Sequence, residues 1–254
     1  MINLFYEAVS FDGIYWILVA AFLAGIVRGF TGFGTALVFI PLVAQVLTPI
    51  EAVFVMILFD FIGVLPTVPR ALKDGKPKDV LRLGIGMLIT TPFGLFALYL
   101  MSQSSFRLIA SITILILLSL LILGVRYRGP LTNKLIYFTG AMGGLFGGST
   151  GMPGPPVILI YMASRSAPQI IRANLLLYAM FGDLLIFALC MLTFDILPIL
   201  FIFAGIAIIP FAFGVLLGSR VFNPERENVY RGVAYFVIGL SAIFGLPFWG
   251  QNGS

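Results

Sequence analysis

The sequence predicts an all-α integral membrane protein made of two inverted repeats, each a broken re-entrant helical hairpin followed by three transmembrane helices. Three observations carry that expectation. They are an apolar composition that water cannot solvate, two long apolar segments interrupted by glycine, and a glycine pattern that recurs at one spacing.

Of the 254 residues, 60% are hydrophobic and 10% charged. Soluble domains run near 45–50% and about 25%. At this length no core could enclose so much apolar surface, so lipid must solvate part of it. The net charge is +5. The basic residues sit between apolar runs, where they orient a membrane protein, and give no sign of a nucleic-acid partner. Histidine is absent and Cys190 is the single cysteine. Intrachain disulfides, Cys/His zinc sites and Ser–His or Cys–His nucleophiles are thereby excluded, and no cofactor motif is present. Cys190 lies inside an apolar run and is expected to act as a small buried hydrophobe. Glu7 and Asp12 flank the first apolar run and no A-x-A-like cleavage site follows, so this segment is expected to belong to the mature fold.

A spanning helix needs about 20 apolar residues. Six stretches meet this: 50–69, 80–101, 106–125, 169–193, 197–218 and 228–248. Two further stretches, 14–47 and 135–164, are too long for one span and too short for two. Each is interrupted, by GFTGFG at 29–34 and by GGSTGMPGPP at 147–156, leaving halves of about 12–15 residues. Irregular backbone at membrane depth is tolerated only inside protein or along a cavity. At an offset of 119, Gly25 matches Gly144, Gly29 matches Gly148, Thr31 matches Thr150, Gly32 matches Gly151, and Pro49 matches Pro168. Pro92-Phe93 matches Pro210-Phe211 at 118. The chain therefore reads as one transport-type domain with repeats at about 14–125 and 135–248.

Charge selects the topology. If the broken segments were plain crossings, lysine and arginine would divide almost evenly between the two sides. If each is a hairpin that enters and leaves on one side, Arg70, Lys73, Lys76, Lys78, Arg82, Arg126, Arg128, Lys134, Arg165, Arg172, Arg220, Arg226 and Arg231 share a side, 13 of the 15. Arg107 is then opposite, and Arg28 lies within the first hairpin. The positive-inside rule favours the hairpins, in a multi-pass cell-membrane protein with both termini outside and Trp16 and Trp249 at the outer interface. Each repeat then crosses three times, an odd number, which inverts the second relative to the first.

The hairpin tips are the candidate site. Glycine permits tight turns and close approach, and Pro153, Pro155 and Pro156 suit the start of a helix. The second half-helix of each hairpin would aim free N–H groups and a positive dipole end into the protein, the elements of an anion site. Candidate substrate-binding residues are Arg28, Thr31, Gly32, Gly34, Ser149, Thr150, Gly151 and Gly154, with the hydroxyls as extra donors. The alternative is that these glycines serve close helix contact alone. Arg28 is either a counter-charge for the anion or a partner of Asp60 or Asp183, or it snorkels to the surface. Asp60 and Asp183 are candidates for coupling to a proton or sodium ion, against a purely structural role. The repeat aligns Asp60 with Ala179, one turn from Asp183 on the same face. Asn174 and Tyr178 are one turn apart and could line a polar path. Asn174 is nine residues from Asp183, so the two face opposite sides of their helix. Thr48-Pro49-Ile50-Glu51 reads as a capping box, and Asn223-Pro224 starts the last helix.

The two broken motifs, Gly25-x3-Gly29-Phe30-Thr31-Gly32-Phe33-Gly34 with Pro41-Leu42, and Gly148-x2-Gly151-x-Pro153-Gly154-Pro155-Pro156 with Tyr161, resemble those of the sulfite exporter TauE/SafE family, also called the toluene sulfonate uptake permeases. The stretch IIRANLLLYAMFGD at 170–183 is similar to that family's helix after the second motif, and the resemblance covers about 14–248. The first motif departs from the pattern in that Thr35 and Ala36 follow Gly34 in place of further glycines. The resemblance implies secondary transport of sulfite, a sulfonate or a related small organic anion. A passive anion channel is the nearer rival. An intramembrane aspartyl protease would also use two aspartates, but it needs Gly-x-Gly-Asp where Met180-Phe181-Gly182 precede Asp183. The partners expected are the anion, the bilayer and a coupling ion. Apolar outer faces suit lipid or a second copy alike, so a homo-oligomer stays open.

The charge argument generates a labelling prediction. In a Cys190→Ser background, Lys76→Cys should react with a membrane-impermeant maleimide from the cytoplasmic side and Ser10→Cys, before the first hairpin, from the outside. Reaction of both from one side would overturn the hairpin topology.

Overall fold

The computed structural model describes residues 2–124, 129, 131–161, 168–221 and 227–248, and among them the chain is helical with no strand. Arg126, Arg128, Arg165, Arg226, the side chain of Arg231, the Asn223-Pro224 helix start and Trp249 lie outside the described residues.

A short helix α1 (Ile2–Val9) precedes the first hairpin, α2 (Ile14–Thr31) and α3 (Thr35–Val43). Then follow α4 (Pro49–Val64), a 3-10 turn at Leu65–Thr67, α5 (Val68–Asp74), α6 (Pro77–Leu100) and α7 (Gln103–Ile122). The second hairpin is α8 (Asn133–Thr150) and α9 (Gly154–Tyr161), followed by α10 (Pro168–Thr193), α11 (Ile199–Val221) and α12 (Glu227–Gly245). Six stretches are long and apolar enough to span a membrane: α2, α4 through α5, α6, α7, α10 and α11. The expected capping box starts α4: Thr48 N donates to Glu51 Oε2 at 2.8 Å and Glu51 N to Thr48 Oγ1 at 3.5 Å. Cys190 is free and buried, as its apolar surroundings predict.

Three expectations need correction. Among the described residues the last expected span, 228–248, holds only a shorter apolar helix, Gly232–Gly245, while the first arm Ile14–Thr31 is itself long and apolar enough to cross. The span from Pro49 does not end near 69 but runs on to Asp74. Pro66 lacks the N–H that an α-turn needs, so the backbone tightens to 3-10 there. Pro69 then sits in the first turn of α5, where a missing N–H costs nothing. The hairpin halves are also unequal, with first arms of 18 residues and second arms of 9 and 8. At 1.5 Å per residue the long arms reach about 27 Å, so each tip passes well beyond half the bilayer. The glycines within α2 and α8 do not interrupt the helix, because neighbouring backbone covers them.

The first hairpin enters and leaves at one end of the bundle. Gly13, before α2, lies against Val46, after α3; a Cβ on Gly13 would stand 2.8 Å from Val46 Cβ. At this end Gln103 donates to Ala44 O at 2.9 Å and Leu47 O at 3.3 Å, and Arg107 donates to Gly245 O at 3.0 Å and Leu246 O at 2.9 Å, closing the C-terminus of α12. Tyr99 and Phe194 stack here, with ring centroids 5.7 Å apart. The other end carries Arg70, Lys73, Lys76, Lys78, Arg82 and Lys134. There Lys76 N donates to Asn174 Oδ1 at 2.7 Å, and Tyr161, closing α9, lies beside Asn174.

The long arms are held by direct backbone contact. A Cβ on Gly29 would meet Val215 O at 2.7 Å and the Gly218 Cα at 2.9 Å, pairing α2 with α11. A Cβ on Gly148 would meet Thr91 O at 2.5 Å and the Gly94 backbone at 2.9 Å, pairing α8 with α6. Gly25 likewise faces the Phe211 carbonyl and Gly144 the Met87 carbonyl. The glycines that match at 119 thus make the same kind of contact in both halves, each with a helix of the other half. Gly94 and Gly218 stand 124 apart, so the Pro92-Phe93 and Pro210-Phe211 match at 118 does not share this register. Ile89, Phe93, Phe96, Leu192, Ile209, Phe213 and Phe236 remain exposed around the bundle, a surface suited to lipid.

Gly29→Val and Gly148→Val should each abolish a monodisperse peak in fluorescence-detected size exclusion, because the clash is with backbone that cannot rotate away. Gly205→Ala, at a glycine with nothing within 4 Å of the added carbon, should leave the peak intact. Normal behaviour of both valine variants would contradict the contact.

Candidate functional site

Each long arm ends at a glycine in the left-handed region, Gly32 with φ 78° and Gly151 with φ 71°. Their N–H groups close the arms, Gly32 N on Arg28 O at 2.7 Å and Gly151 N on Gly147 O at 2.9 Å. Other residue types at these positions would carry a Cβ penalty of about 1–2 kcal/mol. The two tips line one cavity of about 70 Å³, completed by α4 and α10. Gly32 is exposed toward the basic end, whereas Gly151 and Met152 are buried under Val53, Met56 and Ile40.

The cavity holds one arginine and two aspartates, Arg28, Asp60 and Asp183. Arg28, in the last turn of α2, places Nη1 2.8 Å from Asp60 Oδ1 and 3.0 Å from Oδ2. Thr35, the first residue of α3, accepts from Arg28 Nη1 at 2.8 Å and donates to Asp60 Oδ1 at 2.7 Å. Arg28 thus sits at the negative end of α2 and Asp60 beside the positive end of α3, both favourable for their charges. Asp183 of α10 lines the same cavity as Asp60. Asp60 is 4% and Asp183 5% exposed, and Asp183 Oδ2 bonds to no described residue.

Of the candidates named from the sequence, Arg28, Gly32, Gly34, Gly151, Gly154, Asp60 and Asp183 line the cavity. Thr31, Ser149 and Thr150 do not. The Thr31 hydroxyl donates to Phe33 O at 2.6 Å or Val27 O at 2.9 Å, Ser149 to Phe146 O at 3.5 Å and Thr150 to Phe146 O at 2.8 Å. A hydroxyl has one proton to donate, and these give it to the turns that end each arm. The donor supply is lopsided as well. Pro155 and Pro156 remove two N–H groups from the first turn of α9, while Thr35 and Ala36 at the cavity keep theirs. Of the pair one turn apart, Tyr178 lines the cavity and Asn174 faces the Lys76 backbone, consistent with the half-turn argument.

Sequence reasoning missed Thr35, which joins Arg28 to Asp60. Its signal was the departure from glycine after Gly34, in the first helical position of the second arm. It also read Arg172 only as a topology determinant. A Cβ on Gly32 would stand 3.5 Å from Arg172 Nε, so this cation overhangs the first tip. Arg172 is 11 residues from Asp183, which places both on nearly one face of α10.

Removing either member of a buried pair strands the other charge at a cost of about 3–5 kcal/mol. Arg28→Ala and Asp60→Ala should each lower the melting temperature of the purified protein markedly. The pair Arg28→Leu with Asp60→Leu should recover most of the loss. Additive losses in the double variant would show that the two residues are not coupled.

A family model described as Sulfite exporter TauE/SafE matches residues 17–245, nearly the whole chain and both hairpin motifs. No curated protein and no solved structure matches. A match of this extent makes the chain a member of the TauE/SafE sulfite exporter family, a family of membrane transporters and not of enzymes.

Proposed function

We propose that the chain is a secondary transporter that carries a small organosulfonate, sulfite or related organic anion across the cell membrane, by alternating access around the cavity between the hairpin tips. The observation that carries this reading is that both tips line one cavity with Arg28 and two buried carboxyls. Arg28, the first-turn N–H groups of α3, and the backbone at Gly32, Gly34, Gly151 and Gly154 would bind the anion. Asp60 and Asp183 would couple its movement to a proton or sodium ion.

The chain is taken as one transport domain of two inverted repeats. The basic end is assigned to the cytoplasm by the positive-inside rule, with both termini outside. Gly32 is exposed toward the basic end while the second tip is buried near the other, which supports a one-sided carrier over an open channel. Arg28 holds both oxygens of Asp60, which argues against the rival protease reading, whose aspartates must stay free to share a water.

The test is flux in proteoliposomes with sulfite, ethanesulfonate, sulfate and acetate, each with and without a proton or sodium gradient. Saturable, gradient-driven flux of sulfite or ethanesulfonate is expected, reduced at least tenfold in Arg28→Ala and in Asp183→Asn. Saturable flux that ignores both gradients would remove the coupling. No flux of any anion by folded protein would remove the transport assignment.

A further inference from the structure

We propose that Asp60 is a built-in mimic of the substrate's anionic group, and that a proton frees Arg28 for the incoming anion, so that one proton is bound with each monoanion. This rests on the transport reading above and adds the identity of the coupling ion and the way it acts.

An anion at the first tip needs the Arg28 guanidinium and the positive end of α3. Both are occupied. Asp60 takes Arg28 Nη1 through both its oxygens, at 2.8 and 3.0 Å, and accepts from the Thr35 hydroxyl at 2.7 Å. The carboxylate therefore stands where a sulfonate or carboxylate would bind, and the two must compete. A buried arginine facing two anions at once would leave an excess negative charge in a low-dielectric site, which is costly.

The neighbouring carboxyl sets the proton count. Asp183 lines the same cavity as Asp60, both are buried, and Arg28 can neutralise only one of the two carboxyls, so two carboxylates there would leave an unbalanced charge. The resting trio is then Arg28 cationic, Asp60 anionic and Asp183 carrying a proton, with a net charge of zero. When a monoanion arrives, a second proton from solution binds Asp60, the Arg28–Asp60 ion pair parts, and the arginine pairs with the substrate. The net charge is again zero. No electron moves, and the proton leaves with the anion when the pair reforms. Among the described residues, the charged and titratable groups around this carboxyl pair are Arg28 from α2, and Tyr178 from α10, whose hydroxyl donates to Gly140 O at 3.3 Å. From α3 the cavity receives Thr35, which does not titrate, and from α9 apolar side chains. Arg172 overhangs the mouth at Gly32.

The experiment is binding of ethanesulfonate to the purified full chain in detergent, by calorimetry across pH, with proton uptake read by an indicator dye in weak buffer. Wild-type protein should take up one proton per ethanesulfonate. Its Kd should weaken about tenfold per pH unit toward the alkaline end of the range, because the bound form holds the extra proton. Sodium should leave Kd unchanged. Asp60→Asn, which cannot compete for Arg28, should bind at least tenfold tighter at high pH, with no proton uptake. Saturable binding with no proton uptake by the wild type, a Kd that depends on sodium instead, or a retained pH slope in Asp60→Asn would each overturn the mimic. These outcomes would leave the anion site standing. Absence of wild-type binding at every pH, to ethanesulfonate and to sulfite alike, would instead remove the anion site and the mimic with it. The wild-type proton count needs no variant, so the test holds even where Asp60→Asn folds poorly.

Discussion

Backbone that is not helical cannot face lipid, because its N–H and C=O groups would lose their partners in a medium that offers none. The two breaks at Gly32 and Gly151 are therefore possible only inside a sheath of other helices. The glycines of α2 and α8 supply that sheath at the smallest separation a polypeptide permits. Gly29 against Val215 O and Gly148 against Thr91 O bring a long arm of each hairpin into backbone contact with a spanning helix of the other half. A larger side chain at these positions would push the arms outward and open the breaks to lipid. The interlocking of the halves and the cavity between the tips both follow from that close approach.

Once the breaks are enclosed, they dictate the electrostatics of the interior. The first arm ends with its carbonyls, and so its negative dipole end, beside Arg28, and the second arm begins with its positive end beside Asp60 and Thr35. The ion pair is thus supported by the backbone on both sides as well as by its own 2.8 Å contact. The second tip is poorer in donors, because Pro155 and Pro156 carry none. The chemistry of the cavity leans on the first hairpin, and the second mainly shapes and closes it. Asp183 is the exception: it comes from α10 and brings a carboxyl of the second half to the same point.

Much of this was legible in the chain. Composition pointed to the membrane, and the crowding of lysine and arginine between apolar runs pointed to hairpins over crossings; in the first broken segment Gly13 and Val46, at its two ends, lie side by side. The glycine matches at 119 were legible as a pattern. Their cause was not, because a glycine that allows a turn and one that allows a contact look alike in sequence; Gly32 proved the first kind and Gly29 the second. The length of the first arms was misread for the same reason. The aspartates and Arg28 were found because charge in an apolar run is rare, yet their pairing needed three dimensions, since Asp60 lies 32 residues from Arg28. The carbonyl partners of the Thr31, Ser149 and Thr150 hydroxyls were not legible, because a sequence shows a donor but not the nearby carbonyl that claims it.

The central claim is that the cavity between the tips is where the anion sits, reached from the basic end. The most direct measurement is the reactivity of a single cysteine at Ala179, a cavity-lining position one turn from Asp183, in a Cys190→Ser background. A small membrane-impermeant thiol reagent should modify it from the cytoplasmic side, and saturating ethanesulfonate or sulfite should slow that reaction severalfold. A rate unchanged by either anion, in protein shown to be folded and accessible, would contradict the account.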